Sequence, residues 1–306
     1  MTRSAPRSLD QYLQQLREEL AGEDAALIQD ALYDAEEYLR AEIAAHPDKS
    51  ESDVLELIAS TYGAPDEVAG AYRDTEIKVK AALKTPLGTA RKSGSGGFFS
   101  VFSDPRAYTS LFFMILALAT GIIYFVFAVT GLSMSIGLGA VIIGVPFFLM
   151  FMGTTRIVSL AEGRLIEAMT GERMPRRPVY SGTTQGFWAR IGHMLKDPRT
   201  WTTLAYLLLM LPLGIIYFVT AVTGLSVSLA LIFAPLVELA GRGGWVDLSD
   251  HLIGPVWLGS LWALPVIVFA GILLLTLLMH LARIIGRAHA MYAKAMLVAP
   301  AAKMAG

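Results

Sequence analysis

The hydrophobic and polar positions of this 306-residue chain change their pattern near residue 100. Before that point, apolar residues recur every three or four positions among charged ones, which predicts amphipathic helices. After it, long uncharged runs predict spans at about 108–130, 136–157, 201–223 and 256–282, each able to cross a hydrocarbon core of about 30 Å. The pattern therefore predicts an all-α protein, with a small helical bundle followed by four transmembrane helices.

Capping signals divide the amphipathic part into four helices. Ser8 and Ser50 stand where the first and third helices begin, and Pro47 follows the second. Gly63 and Pro65 separate the third helix from the fourth, because glycine permits a left-handed stop and proline suits the first helical turn. These helices are expected to share one modest core.

Charge separates the two halves of the chain. Residues 1–75 carry 6 Lys/Arg and 17 Asp/Glu, whereas residues 76–306 carry 19 and 9. We interpret most of the acidic side chains of the head as a solvated face. Asp34, Glu36 and Glu37 are an alternative candidate for a metal or catalytic cluster, but neighbouring positions on a helix point in different directions, which favours the solvated face. The predicted domains are a head (1–76), a basic and then Gly/Ser-rich linker (77–97), two membrane repeats (98–178 and 179–298) and a tail (299–306).

An internal repeat organises the membrane half. GIIYFVFAVTGLSMS at 121–135 returns as GIIYFVTAVTGLSVS at 214–228, 93 positions later. Two crossings per copy give both copies the same orientation. Residues 131–135 are predicted to form a tight hairpin, and the second copy carries an outward insertion at 229–255. Its part 229–239 either extends span three or lies on the outer interface.

Small residues predict where the membrane helices pack closely, and charged residues predict how they are oriented in the membrane. Ala117 with Gly121, and Ala140 with Gly144, have the spacing that lets helices approach closely, and we favour packing within one chain. Eight Lys/Arg in 156–200 and four after residue 282 predict that the central loop and both termini are cytoplasmic. Asp104 and Asp197, each followed by proline, are read as helix N-caps.

Catalytic chemistry is not visible in the sequence. There is no cysteine, no GxSxG, HExxH or kinase signature, and no histidine at metal-ligand spacing. The central parts of the spans contain no ionisable residue, which argues against a pump. We expect a protein that is not an enzyme, holds no cofactor or metal and does not bind nucleic acid directly.

Three groups of membrane-half residues are candidate sites. The outward insertion offers a candidate sensing loop with Trp245, Asp247, Asp250 and His251. Four hydroxyl-bearing positions are candidates to line a cavity between the hairpins: Thr130, Ser133, Thr223 and Ser226. Four arginines near span ends are candidate lipid-headgroup contacts: Arg106, Arg199, Arg283 and Arg287.

The head resembles a known signalling module. LDQYLQQLREEL at 9–20 and VLELIASTYGAPDEVAGAYR at 54–73 resemble the HAAS-type domain of bacterial membrane proteins, whose motif ends in an aromatic-Gly, Pro-acid-acid and Ala pattern. The resemblance implies a cytoplasmic protein-interaction module, often encoded beside a PadR-type transcriptional regulator. The corresponding candidate partner-binding face comprises Tyr62, Gly63, Asp66, Glu67 and Tyr72.

The membrane half resembles the Putative sensor domain of bacterial signalling proteins. The resemblance rests on DPR-T-W, LPLGIIYFVTAVTGLSVSL at 211–229, IGVPFF at 143–148 and the basic stretch ending in MTGERMPRRP. The second copy departs from the pattern by its insertion and by a missing Gly-Pro pair.

We therefore expect a non-enzymatic sensor of the bacterial inner membrane, which couples a membrane or envelope cue to a PadR-type regulator through the head. The alternative is a lipid- or small-molecule-binding, transport-related protein with a site between the two hairpins. Membrane lipids and a cytoplasmic protein are the expected partners. The sequence leaves the cue and self-association open.

Overall fold

The computed structural model describes residues 5–83, 97–140, 143–177, 196–244 and 260–298. Within those ranges the chain is all-helical and contains no strand, as predicted. Short 3-10 turns lie at Phe98–Ser103 and Leu138–Ala140. The α-helices are α1 (Leu9–Glu19), α2 (Ala25–Ala45), α3 (Glu51–Thr61), α4 (Pro65–Leu83), α5 (Pro105–Gly137), α6 (Gly144–Thr170), α7 (Pro198–Arg242) and α8 (Ala263–Leu297).

Helices α1–α4 form the head, and its predicted caps are confirmed. The Ser8 hydroxyl accepts a hydrogen bond from the backbone of Gln11 at 3.2 Å, and that of Ser50 accepts one from Asp53 at 3.3 Å. Gly63 has a φ of 114°, a conformation that favours glycine. The fourth helix continues to Leu83, into the stretch that the sequence predicts as linker.

One hydrophobic core joins the head helices. Helix α1 packs against α2 and α4, and α2 also packs against α3. Tyr12, Leu16, Leu39 and Ile58 are completely buried in this core. The hydroxyl of Tyr12 donates to the carbonyl of Gly63 at 2.8 Å, so the largest buried side chain has its polar end satisfied.

Helices α5–α8 are each long and apolar enough to cross a membrane, which confirms the prediction of four transmembrane helices. Helix α6 begins at Gly144 rather than at the predicted 136. The predicted turn at 131–135 is wrong, because α5 remains helical to Gly137. A glycine inside a helix costs only about 1 kcal/mol, and in an apolar environment the helix satisfies every backbone group. The 3-10 turn Leu138–Ala140 follows α5 directly. Gly144 lies so close to the carbonyl of Leu138 that a Cβ would not fit.

The insertion after the second repeat copy begins as helix. Residues 229–239 continue α7 without a break to Arg242, so they extend span three rather than form a separate interfacial helix. Helix α7 has 45 residues, which corresponds to about 68 Å at about 1.5 Å per residue, well beyond the hydrocarbon thickness. The two prolines inside it, Pro212 and Pro235, do not end the helix.

The described residues form two compact units. The first contains α1–α4, the end of α5 from Ser135 with α6 and the segment after it, the start of α7 up to Leu204, and the chain from Tyr292 onward. The second contains 97–134 and 205–291. The boundaries of the predicted domains stay a prediction.

Helices α5 and α7 cross in the second unit through backbone contact at two glycines. A Cβ on Gly121 would lie 2.6 Å from the carbonyl oxygen of Met210, and one on Gly214 would overlap the carbonyl of Ala117. Residues 117 and 210 are 93 positions apart, as are the two glycines. Gly121 of α5 therefore contacts position 210 of α7, and Gly214 of α7 contacts position 117 of α5, which is the equivalent position in the repeat. The predicted close packing at Ala117 and Gly121 thus occurs within the chain. Of the other predicted pair, Gly144 is the first residue of α6 and lies against the carbonyl of Leu138.

We predict that Gly214→Ala destabilises the protein by about 2 kcal/mol, because the added methyl group must push two helix backbones apart. The matched control is Gly153→Ala, since a Cβ there meets no atom within 4 Å and alanine favours the helix by up to about 1 kcal/mol. Unfolding midpoints of the purified protein in detergent would measure both effects. Equal stability of the two variants would contradict this packing.

Candidate functional site

Residues 171–177, which we call the basic segment, follow the end of α6. Gly171 ends that helix with a φ of 74° and turns the chain out of its axis. Arg173, Arg176 and Arg177 then lie against the acidic surface of α2 and α4, within the first unit. The segment therefore joins the head to the second predicted span.

Asp30 of α2 is the centre of this interface. One carboxylate oxygen accepts the backbone N–H groups of Arg176 at 2.8 Å and of Arg177 at 2.9 Å. The other accepts the guanidinium of Arg173 at 3.0 Å. Burial raises the pKa of the Asp30 carboxyl, while the two N–H groups and Arg173 oppose that rise. Three donors from one short segment thus converge on one buried acid.

Arg173 and Arg176 connect the interface in two directions. Arg173 also pairs with Glu76 of α4, so its guanidinium spans two head helices. Arg176 pairs with Glu167 of α6 at 2.8 Å, and this hydrogen bond raises the pKa of Arg176. The basic segment is therefore held both to the head and to the helix that precedes it.

Further contacts extend the interface on both sides of Asp30. Arg177 pairs with Asp34 at 2.8 Å, and its carbonyl accepts the side-chain amide of Gln29 at 2.7 Å. The guanidinium of Arg177 also lies 5.9 Å from the ring centre of Tyr33, a cation–π distance. Near the end of α8, Lys294 pairs with Asp24 at 2.6 Å. The head thus contacts both the segment after span two and the end of span four.

Sequence reasoning missed this interface. The prediction of a solvated face is wrong for Asp34, which pairs with Arg177, and for Glu36, which is 7% exposed and pairs with Arg40. It is right for Glu37, which is exposed. The acidic head and the basic residues of 156–200 carry opposite charges, which could have indicated that they pair. The basic residues were instead attributed to the cytoplasmic orientation of the central loop.

The candidate partner-binding face divides into packed and exposed members. Tyr62 stacks on Tyr38 with ring centres 4.4 Å apart, and the Tyr72 hydroxyl donates to Asp34 at 2.9 Å. Burial raises the pKa of both tyrosines. The carbonyl of Gly63 accepts from Tyr12, as described above, while Asp66 and Glu67 are exposed. The aromatic members therefore stabilise the bundle itself.

The membrane-half candidates are not gathered into one site. The sensing-loop residues Trp245, Asp247, Asp250 and His251 lie outside the described residues. The four hydroxyl-bearing positions Thr130, Ser133, Thr223 and Ser226 are all exposed on α5 and α7. Of the four arginines, Arg106 and Arg287 are exposed, Arg283 pairs with Asp104 at 3.0 Å, and Arg199 is half-buried beside a cavity.

A buried histidine is a second feature that sequence reasoning did not find. His289 of α8 is 1% exposed, and its ring nitrogens lie 3.1 Å from the Tyr206 hydroxyl and 3.4 Å from that of Tyr217. The ring of Phe113 lies 4.8 Å away. This histidine is therefore part of the interior of the second unit. Over the described residues no cluster of acidic or histidine side chains could hold a metal ion.

A family model described as Putative sensor matches residues 113–297, which is more than half of the chain. The chain belongs to this family. The match includes most of α5, all of α6 and α7, the basic segment and all of α8, and it begins after the head. No curated protein and no solved structure matched the chain. The HAAS-type resemblance of the head stays a prediction.

Docking of the sensor's head should depend on Asp30. We predict that Asp30→Ala weakens docking by about 3 kcal/mol, because it leaves Arg173, whose side chain is 13% exposed, short of a carboxylate and two N–H groups without an acceptor. The chain has no native cysteine, so spin labels at Lys49→Cys and Ile157→Cys, both exposed positions of the first unit, would report the distance from head to α6.

The expected result is a narrow distance distribution in the parent and a broad one in Asp30→Ala. Asp48→Ala is the matched control, since Asp48 is exposed in the turn between α2 and α3. An unchanged, narrow distribution in Asp30→Ala would show that the head is held by other contacts.

The polar cluster around His289 should stabilise the second unit. We predict that His289→Phe lowers the free energy of unfolding by about 1–3 kcal/mol, because the Tyr206 and Tyr217 hydroxyls lose a buried partner. Tyr206→Phe alone and the double variant complete a double-mutant cycle in detergent. The two losses should be less than additive, whereas full additivity would mean that Tyr206 and His289 do not act on each other.

Proposed function

We propose that this member of the Putative sensor family is a non-enzymatic signalling protein of the bacterial inner membrane. In this proposal the membrane helices respond to a membrane or envelope cue, and the head transmits the response to a cytoplasmic regulator. The observation that carries the proposal is the convergence of Arg173, Arg176 and Arg177 on Asp30. It links a membrane-spanning helix directly to the head.

The contacts of the head support the proposed orientation. Asp30 contacts the segment between spans two and three, and Asp24 contacts Lys294 at the end of span four. Side chains cannot reach across a hydrocarbon core of about 30 Å, so these contacts favour an orientation with both parts on one side of the membrane. The eight Lys/Arg of residues 156–200 favour the cytoplasmic side.

The interface also offers a route for the signal. Because Arg176 is paired with Glu167 of α6, a shift of that helix displaces the basic segment from Asp30. The undocked head then exposes an acidic surface that includes Asp30, Asp34 and Glu76. The HAAS-type resemblance favours a PadR-type transcriptional regulator as the protein that binds there. A cue needs to favour the undocked state by only a few kcal/mol to shift the populations.

The full-length chain with Asp30→Arg should be constitutively undocked. In the native host and without the cue, we expect the set of regulated transcripts to change. We also expect a change in the amount of regulator that co-purifies from native membranes. Asp48→Arg makes the same charge change at an exposed site away from the interface. If Asp30→Arg undocks the head by the spin-label measurement while transcripts and co-purified proteins match those of Asp48→Arg, the signalling proposal fails.

A further inference from the structure

A cavity of about 60 Å³ lies within the first unit. Its wall is formed by Thr155, Arg156 and Ser159 of α6, Asp197 and Arg199 at the start of α7, and Gln29 of the head. One water needs only about 10–15 Å³, so the cavity has room for a larger polar group. It is bounded by both the membrane helices and the head.

Two polar atoms at this cavity are buried without a protein partner. They are one terminal nitrogen of Arg199 and the side-chain oxygen of Gln29. The first is a charged donor and the second an acceptor, because the Gln29 amide nitrogen already donates to Arg177. Leaving such groups unpaired is costly. A ligand that completes the site therefore combines an anion with a hydrogen-bond donor.

The charge around the cavity favours an anion. Arg156 lines it together with Arg199, and Arg17 of α1 is near enough to act on Arg199 as a like charge. The one carboxylate in the wall, Asp197, accepts the backbone N–H of Arg199 at 3.1 Å as the N-cap of α7. The cavity wall thus contains two guanidinium groups and one carboxylate. Guanidinium groups match phosphate oxygens in bidentate pairs.

The cavity lies where the apolar part of the spans ends. Arg156 is the first charged residue after the uncharged residues 144–155 of α6, and Arg199 precedes the uncharged residues 200–237 of α7. Phospholipid headgroups occupy this depth in a bilayer, and basic pockets between membrane helices can bind them.

We propose that this cavity binds a phosphoryl group whose alcohol carries a hydrogen-bond donor, with Arg156 and Arg199 holding the phosphate and Gln29 accepting from the alcohol. A glycerophospholipid headgroup and a free glycerol phosphate share this chemistry. Gln29 also donates to Arg177 in the docking interface, so occupancy of the cavity stabilises the docked head. This last role, as the input of the sensor, rests on the proposed function.

Two arms of one binding experiment distinguish the sources, both with the full-length protein. In the first, glycerol 3-phosphate is titrated into the detergent-purified protein and followed by calorimetry. In the second, the protein is placed in nanodiscs of phosphatidylcholine with increasing phosphatidylglycerol, and retained lipid is counted by native mass spectrometry. Saturable binding in either arm supports the site, and the arm that saturates identifies the source. Failure of both arms overturns it.

Arg199→Gln should weaken binding by at least about tenfold, because it removes the charge while keeping a hydrogen-bonding side chain. The matched control is Arg106→Gln, since Arg106 also follows Asp-Pro at a helix start, 93 positions earlier, and is exposed. Unfolding midpoints confirm that both variants fold. An equal loss in Arg106→Gln would mean that lipid or phosphate binds to surface charge, and would overturn the site.

The donor requirement has its own test. Gln29→Met keeps the length of the side chain but removes its oxygen, so it should abolish the preference for glycerol 3-phosphate over inorganic phosphate. An unchanged preference contradicts the assignment of Gln29. If Arg199→Gln loses binding but leaves transcripts as in the parent, the cavity is not the input, whereas the proposed function is judged separately by Asp30→Arg.

Discussion

The docked position of the head depends on the carboxylate of Asp30. A surface ion pair contributes little, but this group is buried and takes three donors from one five-residue stretch. Two of the donors are backbone N–H groups, so the contact specifies the path of the chain as well as its charge. A different basic side chain nearby could not replace them, which makes the docked position of the head specific.

The second unit depends on a different constraint, the close approach of helix backbones. Lipid tails are as apolar as leucine, so the hydrophobic effect alone does not hold membrane helices together, and van der Waals contact between close backbones becomes important. Gly121 and Gly214 allow that contact between α5 and α7. The same unit buries His289 with two tyrosine hydroxyls. These polar contacts are directional, and they add to the van der Waals packing of the helices.

The docking interface and the proposed phosphoryl site share one side chain. The amide nitrogen of Gln29 holds the carbonyl of Arg177, and its oxygen is buried at the cavity beside Arg199. A ligand that orders Gln29 therefore favours the docked head, and loss of the ligand weakens it. Such coupling needs no long pathway, because the two sites are in direct contact through a single residue.

Local patterns were sufficient to predict the helices of the head and the four spans. The hydroxyl of a cap such as Ser8 accepts a hydrogen bond from an N–H group within one helical turn, and a long apolar run is favoured in lipid whichever helices pack against it. The turn after α5 was misplaced because glycine and serine at 131–135 do not end a helix that has apolar surroundings, whereas the close contact at Gly144 appears only in three dimensions. Asp30 and Arg173 are 143 positions apart. Which acid meets which arginine depends on how the helices pack, so only the tertiary structure could turn two oppositely charged segments into a docking site.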